Sequence, residues 1–220
     1  MSEPQETRLR AGARELGVAL DDRQVAALLA YLGLIAKWNK VYNLTAVRDP
    51  DEMLGQHLLD SLAAVGPLAR RLPGAGRVLD VGAGAGLPGV VIAICRPELQ
   101  VDCVDTVAKK AAFVQQAAVQ LGLPNLRGLH ARVETLANHD YDVVTSRAFA
   151  SLADFTAWSG AALKPGGVWL AMKGKRPDAE IEALPPGVEV FHVEQLHVPG
   201  LDAERCIVWM RPKSQAATRP

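Results

Sequence analysis

Apolar residues follow two different rhythms along the chain, and the change falls near residue 75. Before it the spacing is helical. Val25, Leu28, Leu29, Leu32, Ile35 and Trp38 recur at intervals of three and four, so they share one face of a helix running to about Lys40. Asp21 or Asp22 supplies its N-cap. Residues 43–46 (Asn-Leu-Thr-Ala) break the rhythm. Asp49-Pro50 then starts another helix, with Pro50 at the first position, where its missing N–H costs nothing. Met53, Leu54, His57, Leu58 and Leu62 form the stripe of that helix, and Pro67 or the Pro73-Gly74 pair closes the region.

From Arg77 the unit becomes strand, turn, helix. Short apolar runs predict strands at 77–81, 101–105, 126–130, 141–146 and 168–172. Helices are predicted over 88–94, 106–121 and 151–163, with Thr106 capping the second and Gly122 ending it. Residues 164–167 (Lys-Pro-Gly-Gly) read as a turn. This alternation predicts a mainly parallel, doubly wound sheet. The tail differs: 188–198 alternates, Pro199-Gly200 turns, and 206–210 is a last apolar run. Too little chain separates these runs for a crossover helix, so they pair antiparallel. The expected architecture is therefore α/β, a seven-stranded Rossmann-like sheet, mostly parallel with an antiparallel C-terminal strand. A helical extension, 1–75, packs on a catalytic domain, 76–213, and 214–220 form a disordered tail.

Composition narrows the partners. At 49% hydrophobic and 22% charged the chain reads as a soluble globular protein. Its 24 basic residues balance 24 acidic ones, so no global field attracts a polyanion and any such partner must meet a local patch. Arg8, Arg10 and Arg14 form one candidate, and Lys173, Lys175 and Arg176 another. Cys95, Cys103 and Cys206 sit in apolar runs without disulfide or metal-ligand spacing, which implies buried thiols in a reducing compartment and no metal. The N-terminus lacks a signal-peptide core. No apolar stretch approaches the roughly 20 residues that span a bilayer, so a cytoplasmic protein without membrane contact is expected.

The chemistry lies in residues 80–86 (Asp-Val-Gly-Ala-Gly-Ala-Gly), which join the first strand to the next helix. Gly82, Gly84 and Gly86 let a bulky cofactor approach backbone at a strand's carboxyl end. A dinucleotide fingerprint requires glycine where Leu87 stands. Asp80 would repel a diphosphate but suits a sulfonium amino acid, and Asp105, ending the second strand, is placed for ribose hydroxyls. Together they point to S-adenosylmethionine (SAM), hence to a class I SAM-dependent methyltransferase. After the third strand Val133 offers backbone to an adenine edge and Glu134 a carboxylate to its amine, although Glu134 also suits a helix first turn. Arg147, after the fourth strand, faces either the cofactor and acceptor or a surface carboxylate. No cysteine sits where pyrimidine C5 methylation needs a nucleophile. The Asn/Asp-Pro-Pro-aromatic motif of amino-group methyltransferases is absent too. An acceptor with a free lone pair, such as guanine N7, needs no base and fits these absences. A small-molecule methyltransferase and a non-catalytic SAM-binding protein remain alternatives.

Several segments together resemble a known family. They are residues 38–46 (Trp-Asn-Lys-Val-Tyr-Asn-Leu-Thr-Ala), 57–61 (His-Leu-Leu-Asp-Ser), 80–89, 146–151 (Ser-Arg-Ala-Phe-Ala-Ser), 172–174 (Met-Lys-Gly) and 202–205 (Asp-Ala-Glu-Arg). The chain resembles the bacterial small-subunit rRNA guanine-N7 methyltransferases known as RsmG, or glucose-inhibited division protein B. The resemblance implies methylation of a guanine N7 in the decoding-region loop of small-subunit rRNA; the expected partner is that rRNA within the subunit or an assembly intermediate, and the expected state is a monomer. It implies SAM contacts at Gly82, Leu87, Val133, Glu134 and Arg147. It also places Asn39, Asn43, His57, Asp60, Lys173 and Arg205 near the RNA. On residues alone, Asn43 is equally a turn residue and His57 a packing residue bonded to Asp60.

Overall fold

A computed structural model describes residues 4–136, 140–147, 149 and 151–213. The tail 214–220, expected to be disordered, lies outside these residues, as do Ala148 and Ala150 of the 146–151 motif. Helix α1, Gln5–Glu15, precedes α2, Asp22–Tyr42. The start of α2 is a capping box: Asp21 accepts the Gln24 N–H at 2.7 Å, and the Gln24 side chain accepts the Asp21 N–H at 3.0 Å. Val25, Leu28, Tyr31, Leu32 and Ile35 form its buried stripe. The helix ends at Asn43, whose φ of 49° is left-handed.

Next come α3, Pro50–Met53, a π-helical turn, Leu54–Leu59, and α4, Asp60–Leu62, in unbroken succession. The stripe predicted an ordinary α-helix here. The π turn shifts the register of everything after Met53 and frees the Gln56 carbonyl for a tertiary partner. Helix α5, Val65–Arg71, carries Pro67 in its first turn, so that proline begins a helix and does not end the region.

The strands are β1 Gly76–Val81, β2 Leu99–Asp105, β3 Leu126–His130, β4 Tyr141–Ser146, β5 Leu163–Lys173, β6 Val188–Leu196 and β7 Arg205–Pro212. They form one sheet in the order β3-β2-β1-β4-β5-β7-β6, and only β7 runs against the rest. Helices α6, Gly89–Cys95, and α7, Ala108–Gln120, lie on one face together with the N-terminal helices. Helix α8, Leu152–Ser159, and the short α9, Asp178–Glu182, lie on the other. Strand residues alternate between the two cores: Val78, Val143 and Leu170 enter the first, Leu79, Val144 and Ala171 the second.

Three local expectations change. The cap of α7 is Val107 without a side-chain bond, not Thr106; Asp105 instead accepts the Val107 N–H at 2.9 Å. The 164–167 turn falls inside β5, as an irregularity opposite 141–143 with Gly166 at φ +81°. Helix α9 breaks what the sequence left as connection. Among the described residues no helix is long and apolar enough to cross a membrane.

One carboxylate ties four strands. Asp102 of β2, 2% exposed, accepts Arg127 Nε and Nη2 of β3 at 2.7 Å each, the Tyr141 hydroxyl of β4 at 2.7 Å and Arg77 Nη2 of β1 at 3.4 Å. Burial alone would raise its pKa, but these donors outweigh burial and hold it below the usual carboxylate range. A depressed folded-state pKa contributes stability above the unfolded value and loses it as pH falls through the folded one. Asp102→Ala should therefore cost on the order of 1–3 kcal/mol in a urea melt at pH 7, because it leaves the buried Tyr141 hydroxyl and two partly exposed guanidiniums without their shared acceptor. The deficit should shrink toward pH 2 as the parent protein loses the same interaction.

Candidate functional site

The glycine loop hangs from the end of β2. The Gly82 and Ala83 N–H groups donate to the Val104 carbonyl at 2.9 and 3.2 Å, and the Gly84 N–H donates to Asp105 Oδ2 at 3.0 Å. Gly82 and Gly84 have φ of +65° and +59°, the left-handed region that side chains avoid. A Cβ on Gly82 would meet no protein atom within 4 Å, so that backbone faces open space. Gly86 is different. A Cβ there would lie 2.5 Å from a Val90 methyl, so its smallness serves packing and its Cα does not face a cofactor. Leu87, 4% exposed, likewise points into the core.

Asp80 supports the loop from below. It is fully buried, and its Oδ2 accepts the Gly89 N–H at 2.8 Å. Direct contact with a cofactor through Asp80, expected from its charge, gives way to this anchoring role. Its Oδ1 is buried without a partner, and desolvation pushes its pKa up to about 7 against the pull of the Gly89 N–H and of Arg147.

Beside the loop opens a cleft of about 190 Å³. Gly82, Asp105, Val133 and Glu134 line it, joined by Phe149 and Trp158, whose rings stand edge to face with centroids 5.4 Å apart. Sequence reading missed this aromatic pair as cofactor wall. Its one signal was Trp158, 44% exposed on α8, where a large apolar residue has no core to enter. Glu134 pairs with Arg132 at 3.1 Å on the rim, and its carboxyl is held low first by its own backbone N–H, then by Arg132. The cleft fits SAM on chemical grounds. Apolar and aromatic walls accept a flat base, a backbone-fixed Asp105 suits paired hydroxyls, and a diphosphate would face Asp105 and Glu134 together.

A second cleft, about 400 Å³, lies at the carboxyl ends of β4 and β5 and the start of β7. It gathers His57, Asp60, Arg147, Lys173 and Arg205, with Gln56 on its wall. Asp60, 3% exposed, is the hub: Oδ1 accepts Arg205 Nε at 2.7 Å and Oδ2 accepts Arg147 Nη1 at 3.2 Å. Arg147 Nη1 also reaches the Gln56 carbonyl at 2.8 Å, the one freed by the π turn. His57 bonds Thr45 Oγ1 at 2.9 Å rather than Asp60. Burial, then Arg147, lowers its pKa, so it is neutral at pH 7.

Other expected RNA contacts change role. Both amide atoms of Asn39 are used, Oδ1 by the Thr45 N–H at 3.0 Å and Nδ2 by the Val47 carbonyl at 3.2 Å. Asn43 caps α2. These two shape the loop that delivers Val47 to the cleft and Thr45 to His57. Lys173 Nζ is held by both Glu180 oxygens at 2.8 and 3.0 Å, and Glu180 Oε2 also accepts the Leu152 N–H, latching α8 to β5. The basic clusters are largely neutralised: Arg8 by Asp51, Arg10 by Glu6 and Asp22, Arg176 by Asp178.

The family model for "rRNA small subunit methyltransferase G" matches residues 24–208. The chain belongs to that family. It is 69% identical over 214 residues to the ribosomal RNA small subunit methyltransferase G of Polaromonas sp. (strain JS666 / ATCC BAA-500), covering 95% of this chain and 94% of the relative. To the protein of the same name from Acidovorax sp. (strain JS42) it is 67% identical over 214 residues, covering 93% and 94%. A SAM-dependent methyltransferase from Aquifex aeolicus, 17% identical, shares the fold with a TM-score of 0.57 over 76% of this chain and 96% of that one. The chain is thus a class I SAM-dependent methyltransferase.

Two measurements test this site. Gly84→Val places a β-branched residue in a left-handed conformation on the cofactor loop. It should weaken SAM binding by calorimetry more than about 100-fold, roughly 3 kcal/mol, while circular dichroism stays near that of the parent. Unchanged affinity would refute the placement. For Asp80, a folded pKa raised to about 7 means stability present at low pH and lost as pH rises through 7. Asp80→Asn should therefore raise the melting temperature relative to the parent at pH 8.5 more than at pH 5.5; equal differences would contradict the burial argument.

Proposed function

We propose that the protein transfers the SAM methyl group to N7 of a guanine in the decoding-region loop of small-subunit rRNA. On this reading it acts as a cytoplasmic monomer on the small subunit or an assembly intermediate. The observation that carries the reading is the adjacency of two unlike clefts at the carboxyl ends of the strands. One is narrow and partly aromatic; the other is wide, polar and cationic, and two residues that follow β4 border them, Phe149 the first and Arg147 the second. The family name and the relatives' printed names support rRNA as the acceptor. Residues 1–75 then serve as an extension that supplies one wall of the acceptor cleft through Gln56, His57 and Asp60, and 76–213 as the catalytic domain.

When bound, SAM supplies an electrophilic methyl on a sulfonium. The residues assigned to hold it are Gly82 through its backbone, Asp105 at the ribose hydroxyls, and Val133 and Glu134 at the adenine edge. Asp80, Gly84, Gly86 and Leu87 set the loop beneath them. Guanine N7 offers a lone pair and carries no proton, so this chain needs no general base; among the described residues of the second cleft His57 is bonded to Thr45 and Asp60 to two arginines. What the residues contribute is position, which is what an in-line displacement requires. Arg147 is assigned to the reacting end, because it follows β4 two residues before Phe149 of the first cleft and reaches into the second.

A neutral chain lacks a broad electrostatic surface for free RNA. A folded ribonucleoprotein read by shape, with the base splayed from its loop, avoids that requirement. Small subunits from a strain lacking the protein should gain one methyl on the target guanine when incubated with protein and SAM, read by mass spectrometry of the rRNA. Naked target-loop RNA should be a much poorer substrate. An rRNA already fully N7-methylated in that strain would sink the assignment.

A further inference from the structure

The second cleft contains two kinds of cation. Lys173 is met by both oxygens of Glu180 and by the Phe149 carbonyl, so its charge and donors are spent inside the protein. Arg147 and Arg205 share a single carboxylate. Asp60 gives one oxygen to each, which leaves two guanidiniums against one negative charge. Among the described residues, beyond Asp60, Arg147 reaches only the Gln56 carbonyl and Arg205 only the Glu204 carbonyl. Among the described residues Nε and Nη2 of Arg147 and Nη2 of Arg205 have no acceptor. Both side chains are about a quarter exposed, at 24% and 26%. Partly buried donors without partners cost desolvation energy that a bridge serving the fold alone would avoid by pairing one to one.

The three residues come from distant parts of the chain. Asp60 follows the π turn, Arg147 follows β4 and Arg205 opens β7. They meet only at the mouth of this cleft, where the excess charge is open to a ligand. His57, neutral, adds nothing to it. The unpaired donor set is one an anionic, oxygen-rich group satisfies, and planar guanidiniums match phosphate in a fork geometry that Lys173 lacks.

We propose that Arg205 binds an RNA backbone phosphate beside the target nucleotide, and that Asp60 is the positioning residue that aims it. This rests on the rRNA reading above. It assigns the phosphate to Arg205 and withdraws it from Lys173 and the basic N-terminal helix.

The test uses full-length protein, small subunits as substrate and Arg211→Ala, a surface partner of Glu189, as control. Arg205→Ala should raise KM for the subunit about tenfold or more with kcat nearly unchanged, while SAM affinity by calorimetry and the melting temperature stay near parental. The salt slope of subunit binding should fall by about 0.7 to 0.9, one phosphate contact. Arg205→Lys should restore the slope but only part of the affinity, and Asp60→Asn should raise KM with the slope retained. Lys173→Ala should leave the slope unchanged. An Arg205→Ala protein with parental KM and slope would overturn the proposal while leaving the rRNA reading intact. So would saturable binding of inorganic phosphate at submillimolar concentration, lost in Arg205→Ala, because the cleft would then serve a free anion. Failure of the parent protein itself to methylate subunits would remove the rRNA reading and this proposal together.

Discussion

The structure depends on one geometric constraint. Parallel strands put all their carboxyl ends on one edge, and the strand order reverses beside β1: β2 and β3 lie to one side, β4 and β5 to the other. The connections leaving β1 and β4 therefore diverge, and a crevice opens between them that no side chain has to carve. The glycine loop leaves β1 on one side of that crevice, and residues 147–151 leave β4 on the other. The first cleft sits against the loop and the ends of β2 and β3. The second sits where β4, β5 and β7 end. The reversed direction of β7 matters here, because it brings Arg205 to the same edge at its amino end.

Much of this was legible in the sequence. The strand and helix order follows from the change of apolar rhythm, and antiparallel pairing of the last strands follows from a short connection. The cofactor followed from charge and spacing, Asp80 and Asp105 around glycines with Leu87 in place of a fourth. Less legible was which atom of each residue does the work. Asp80 and Leu87 look like contacts in a one-dimensional reading, yet Asp80 is buried at the end of β1 against the Gly89 N–H, and the Leu87 side chain enters the core after the loop. The π turn was invisible to periodicity, since its residues keep an apolar stripe. Asn39 and Lys173 are polar residues in motif segments whose side-chain bonds are made internally, and only three-dimensional neighbours such as Thr45 and Glu180 reveal it; Asn43 serves through its left-handed backbone at the end of α2.

Charge is handled locally throughout. A chain with as many acids as bases can still present a cationic opening if its carboxylates are assigned unequally. Asp102 meets two arginines and a tyrosine in the sheet, Glu180 neutralises the one lysine of the second cleft, and Asp60 is shared. One surplus guanidinium charge thereby sits at the edge of the sheet where β4, β5 and β7 meet.

The loop's suspension from β2 has a thermodynamic consequence. Its N–H groups at Gly82, Ala83 and Gly84 are held by Val104 and Asp105, all groups of the protein itself, and the Asp80 carboxylate fixes the helix that follows. The conformation that receives the cofactor is thus already ordered, and its configurational entropy is surrendered on folding rather than on binding. Ligand entry needs little further immobilisation of backbone here, so the free energy of association can be retained as affinity instead of being consumed in shaping the receptor.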